Sequence, residues 1–144
     1  IVRVEGTNLL ITRETDYAIR ILRALAGGEQ LTSGDICRRE LLPQQFVYKI
    51  IKKLERGRVV QIIRGAEGGC RLTADLKKLS LYDLTKIMEA ENIISACMVP
   101  GFKCAWRQKC GSECAVHNNL VKIQNALDEQ LKSYSIHRML FEED

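Results

Sequence analysis

The 144-residue chain contains no run of about eighteen apolar residues, so none of its helices is expected to cross a membrane. Its opening, IVRVEGTNLL, lacks the long apolar stretch and small-residue cleavage site of a signal peptide. It has no glycine motif for a nucleotide and no C-x-x-C pair. The first two absences point to a soluble, cytoplasmic protein. The last two argue against an enzyme, and against a small redox or electron-transfer protein. What remains has globular proportions, with 46% hydrophobic and 28% charged residues, enough for one domain with a real core.

The net charge of +4 is unevenly spread. Residues 1–73 carry 13 Lys/Arg against 8 Asp/Glu, whereas residues 74–144 carry 9 against 10. Between Arg38 and Arg64 there are 8 basic residues and only two acidic ones, Glu40 and Glu55. A field of that kind suits phosphate binding, because each neutralised phosphate releases counterions.

The centre of that field is PQQFVYKIIKKLERGRVVQIIRGAEGGCRL, from Pro43 to Leu72. Pro43 suits the start of a helix. Phe46, Ile50, Ile51 and Leu54 recur at helical spacing, with Gly57 placed to end the helix at positive φ. VVQII, RGAEGG and CRL then read as strand, turn and strand. Upstream, Thr12 caps a helix through Leu25. A second cap near Thr32 starts a short helix that ends before the Leu41-Leu42 turn. Two short helices, a turn and a hairpin make a winged helix-turn-helix reader of double-stranded DNA.

In such a reader the exposed first turns of the second helix meet base edges. Gln44, Gln45, Tyr48 and Lys49 are the candidates, since Gln pairs with adenine and Lys reaches guanine. Lys52, Lys53 and Arg56 lie farther along, where phosphates are expected. Arg64, beside Gly65 at the wing tip, is placed to enter a narrow minor groove. Glu67 at the tip fits none of these roles.

The other half has a different character. Ser80 caps a helix through Ala90. Residues 91–118 lack helical periodicity, are interrupted by Pro100, Gly101 and Gly111, and hold four of the six cysteines: Cys97, Cys104, Cys110 and Cys114. Such a cluster, without a secretion signal, argues for a metal, an iron–sulphur cluster or a redox switch rather than a disulfide framework. Zinc is the competing metal, although paired C-x-x-C hooks are missing. From about Cys114 to Phe141, Leu120, Ile123, Leu127, Leu131 and Tyr134 recur every three or four residues, as in a long helix that is either buried in its own core or pairs with a two-fold mate, the pairing being favoured because the first ninety residues already supply a core. The expected architecture is mainly α with a small β-hairpin wing. Residues 10–79 form the reading unit, and residues 80–144 add a helix, the cysteine loop (91–118) and a dimerisation helix. Together they make one domain.

LITRETDYAIRILRALA, RGAEGGCRL and the cysteine cluster before the last long helix together resemble the Rrf-type winged-helix transcriptional regulators. That family includes the iron–sulphur biogenesis regulator and the nitric-oxide-sensing repressor. The resemblance runs from about Leu10 to Leu140. It implies a homodimeric repressor of palindromic or A·T-rich operators, controlled by a [2Fe–2S] or [4Fe–4S] cluster in the Cys97–Cys114 loop. Cys97, Cys104 and Cys110 match a three-cysteine ligand pattern. Cys114-Ala-Val-His117 matches another form, in which a His follows the last Cys. The fourth ligand is therefore open between Cys114 and His117. A regulator with structural zinc or a thiol–disulfide switch is the alternative.

Overall fold

The computed structural model describes residues 9–142. The opening residues inspected for a leader, and the last two of the second region, lie outside them. The chain forms α1 (Arg13–Leu25), α2 (Ser33–Glu40), α3 (Gln44–Arg56), β1 (Val60–Ile63), β2 (Gly69–Leu72), α4 (Leu81–Ile87), α5 (Ala105–Cys110), α6 (Ala115–Ser133) and α7 (Ile136–Phe141). This is the mainly helical winged architecture expected.

Local chemistry starts the helices where the sequence suggests. Thr12 accepts from the Thr15 amide. Thr32 with Asp35, and Ser80 with Asp83, form capping boxes in which each side chain bonds the other's backbone amide. Leu41, in the left-handed region at φ 54°, makes the tight turn between α2 and α3. Pro43 is the residue before α3, where its missing amide costs nothing.

Ala18, Ile21, Leu22 and Leu25 of α1 meet Ile36 of α2 and Val47, Ile50 and Leu54 of α3 in one fully buried core. Each large side chain sealed there contributes about 1.5–3 kcal/mol of hydrophobic free energy. The hairpin closes this core with Val60 and Cys70. Its strands are antiparallel, in register from Val60 opposite Leu72 to Ile63 opposite Gly69. Leu31 adds one rung of a third strand, exchanging backbone hydrogen bonds of 2.9 and 2.7 Å with Cys70.

The close approach explains the wing's RG-x-x-GG sequence. A Cβ on Gly68 would lie 2.6 Å from the Ile63 carbonyl oxygen, and one on Gly69 would lie 2.6 Å from that of Leu31. Only glycine lets the backbones come so near.

Three expectations need correction. Gly57 ends α3 at φ −77°, and the left-handed residue is Arg58 at φ 61°. Gly57 is needed for space instead, since a Cβ there would meet the Ile87 side chain at 2.8 Å. The 91–118 segment is not wholly irregular, for it contains α5 and a 3₁₀ turn at Ala96–Met98. The last helix is broken in two. Tyr134 is extended, its carbonyl accepts from the Leu81 amide, and the Ser135 side chain caps α7. The break turns α7 back onto the head, where Ile136 is fully buried and the Ile136 and His137 amides bond the carbonyls of Leu79 and Leu76.

Candidate nucleic-acid interface and cysteine cavity

The amphipathic pattern of α3 fixes which residues face out. With Val47, Ile50, Ile51 and Leu54 inward, Gln44, Gln45, Tyr48, Lys49, Lys52 and Arg56 are exposed on the other face. The Lys52 ammonium lies 4.8 Å from the Tyr48 ring centroid, so the two share one surface. A groove of about 340 Å³ separates this helix from the wing, with Tyr48 on one wall and Gly65 and Ala66 on the other. Arg64 stands exposed beside the wing tip and joins no ion pair among the described residues. Gly65, at φ 107°, accepts the Gly68 amide and closes the tip. The Glu67 backbone carbonyl accepts from Gln30 at 2.7 Å, pinning the tip to the α1–α2 connection while the residue itself stays exposed.

Lys53 is placed differently from the sequence expectation. Its side chain is only 11% exposed. Its ammonium sits 2.7 Å from one Glu14 oxygen and 3.4 Å from Glu89. The other Glu14 oxygen pairs with Lys49 at 2.9 Å. The Lys53 hydrogen bond holds the Glu14 carboxyl below its ordinary range, against the opposing effect of burial. The same bond raises Lys53, with Glu89 adding less. Lys53 is thus a tie between α1, α3 and the end of α4, set back from the exposed face where phosphates are expected. Neither Glu14 nor Glu89 was singled out in the sequence. Glu14 left one signal, an acid in the first turn of α1, and Glu89 left none.

The second site is the cysteine segment. Cys97, Cys104, Cys114 and His117 line one cavity of about 520 Å³, together with Phe102, Lys103 and Arg107. His117 Nδ1 is 3.2 Å from Cys97 Sγ, and Ser95 Oγ is 3.3 Å from the same sulphur. Cys114 caps α6, its sulphur accepting from the His117 amide at 3.4 Å. A negative sulphur there meets the positive end of the α6 dipole. Cys110 is exposed at the end of α5 and does not line this cavity. Trp106, half exposed, does not line it either. Among the described residues, no three acidic, His or Cys groups already converge as ligands of a single metal ion.

Asn92 and Gln124 hold the segment's entrance. Asn92 is buried and donates to Thr85 Oγ1 at 2.6 Å. Gln124 of α6 donates to the Asn92 carbonyl at 2.6 Å and accepts from the Ile94 amide at 2.9 Å.

A helix with an exposed basic face, a glycine-tipped wing and a cysteine cavity thus occupy one chain. The family model described as "Rrf2: Iron-dependent Transcriptional regulator" matches residues 11–142. The chain belongs to the Rrf2 family. It is a DNA-binding transcriptional regulator rather than an enzyme. It is 32% identical over 129 residues to protein aau3 of Rhizobium meliloti, a match spanning 88% of this chain and 81% of that protein. Its fold is similar to T. potens IscR, with TM-score 0.66 and 18% identity over 96% of this chain and 89% of the other. It is equally similar to CymR, the global cysteine regulator of B. subtilis, with TM-score 0.66 and 20% identity over 95% and 100%. Among the described residues, no helix of this Rrf2 chain is long and apolar enough to cross a membrane.

Proposed function

We propose that this Rrf2 regulator is a cytoplasmic, homodimeric repressor whose operator affinity is set by an iron–sulphur cluster held by Cys97, Cys104, Cys114 and His117. One observation carries the reading: three cysteines and a histidine line one cavity, with Cys110 outside it. The donor set fits such a group, since thiolates with a histidine are known cluster ligands. A zinc ion is the competing occupant, but the chain lacks the paired C-x-x-C hooks common in zinc modules. The cluster, when bound, supplies a redox- and oxygen-sensitive centre.

The chain's own residues do the rest. Phe102 covers part of the cavity, while Lys103 and Arg107 offset the negative charge of thiolates. Gln44, Gln45, Tyr48 and Lys49 meet base edges, Lys52 and Arg56 meet phosphates, and Arg64 beside Gly65 enters the minor groove. The dimer reading rests on α6. Val116, Leu120, Ile123 and Leu127 form one stripe along it, with Val116 67% and Ile123 55% exposed. Such a stripe suits pairing with a second copy, which would set two reading helices on one duplex.

The test is anaerobic reconstitution with iron and sulphide, followed by binding to a duplex selected from a random-sequence pool. Visible absorbance should appear in the wild type and in Cys110→Ala, and be lost in Cys104→Ala. Affinity should differ between cluster-free and loaded protein. Zinc without sulphide in anaerobically purified protein would overturn the cofactor, and equal affinities would overturn the sensing.

A further inference from the structure

The ion cluster around Lys53 joins the base-reading face of α3 to the chain that enters the cysteine segment. Glu14 is shared, with one oxygen on Lys49 and the other on Lys53. Lys53 is shared in turn between Glu14 and Glu89. Glu89 follows the last turn of α4, in the left-handed region at φ 58°. That conformation is unfavourable for a side chain with a Cβ, so the residue is a natural hinge. Three positions on, Asn92 is buried and tied to α4 and α6. Five further on stands Cys97. Any rearrangement of the cysteine segment that turns Glu89 out of its left-handed state carries its carboxylate away from Lys53.

We propose that Glu14, Lys53 and Glu89 form a charge relay through which the entry to the cysteine segment decides whether Lys49 is free to meet DNA. The direction follows from burial. Lys53, largely enclosed, cannot leave its carboxylates without losing both solvent and partner. When Glu89 holds it, Glu14 has an oxygen to spare for Lys49. When Glu89 swings away, Glu14 must serve Lys53 alone, and Lys49, 62% exposed, is released to the duplex. Lys53 is then a positioning residue that never touches DNA. That the cysteine segment moves Glu89 rests on the cluster reading above; the relay itself does not.

The test uses the full chain without metal and a duplex selected by the wild type from a random-sequence pool, with affinity measured against salt. Glu89→Gln, at a site 70% exposed, should keep the fold and its melting temperature. It should bind more tightly than the wild type, with the logarithmic salt slope steeper by up to about 0.9, one added phosphate contact. In a Lys49→Gln background, Glu89→Gln should leave the slope unchanged. Equal slopes for the wild type and Glu89→Gln overturn the relay, as does a Glu89→Gln effect of the same size without Lys49, which would be plain loss of negative charge. A positive result alongside equal affinities of cluster-free and loaded wild type removes the sensing and leaves the relay standing. The reverse pattern removes the relay alone.

Discussion

The two halves of this molecule are built to different standards. From Thr12 to Met88, four helices and a hairpin enclose a continuous apolar core. Between Ile93 and Gln130 no residue is buried, and Val99, Phe102, Trp106, Val116 and Ile123 are exposed. The first half derives its order from packing among its own side chains. The second is joined to the first by a few polar contacts, Asn92 to Thr85 and Gln124 to the Asn92 backbone, and by Leu127 packing at the core's edge, while most of its apolar side chains lack an enclosing partner within the described residues. Segments with few buried contacts open at low cost.

Substitutions can break this contrast. The largest effect is expected in the head. Ile50→Ala should cost about 2–5 kcal/mol of unfolding free energy in denaturant titrations, the usual result of a buried cavity. Phe102→Ala should cost under about 1 kcal/mol in the same experiment. Equal costs would mean that the cysteine half is as tightly packed as the head.

Cys70 offers a sharper probe, because it is buried between the hairpin and Leu31. Burial pushes its thiol up from 9.0 to about 11. In the unfolded chain the thiol ionises near pH 9, whereas in the folded protein it keeps its proton. The stability is therefore intact below pH 9 and falls as pH rises toward 11, by about 2 kcal/mol at 1.36 kcal/mol per pH unit. Denaturation at pH 8 and pH 10.5 should show this loss in the wild type, and Cys70→Ala should lower stability at both while flattening the difference. An equal fall in the variant would assign the alkaline loss to other groups.

The opposite end of the pH range tests the tie at Glu14. Its carboxyl is lowered in the folded state, chiefly by Lys53, so its contribution is present above pH 4.5 and is lost as pH falls through the lower folded value. Glu14→Gln should make the acid limb of the stability profile shallower, and an unchanged limb would assign the acid loss to other groups. The smallest effect is reserved for the surface. Arg64→Ala should leave stability within about 0.5 kcal/mol but reduce the salt slope of DNA binding by about 0.9. An unchanged slope would remove Arg64 from the interface.

The same contrast governs what could be read from sequence. Caps at Thr12, Thr32 and Ser80, the Leu41 turn and the hairpin were legible because each is decided within a few residues. The face of α3 was legible because burial repeats at the helical period. What escaped depends on distant neighbours. Gly57 looked like a residue chosen for positive φ, yet Ile87, thirty positions away, is what requires it. Lys53 looked like its lysine neighbours, and only Glu14 and Glu89 show that it is withdrawn from the surface. The break at Tyr134 depends on a hydrogen bond to Leu81, which periodicity cannot reveal. Spacing also could not choose between Cys110 and Cys114, since both follow Cys104 at plausible intervals. Which sulphur faces the cavity is set by the turn between α5 and α6.

The return of α7 onto the head bears on how the chain matures as it is synthesised. A ribosome releases residues in order, so Cys97, Cys104 and Cys114 are outside before Ile136 arrives to fill the head's core. Until then the head lacks one fully buried side chain and the backbone bonds that Leu79, Leu76 and Leu81 make with residues 134–137. A nascent chain halted just after the cysteines would present its thiols to solvent while its reading half was still unfinished. The head is completed last, by residues that lie beyond the segment that carries the cysteines.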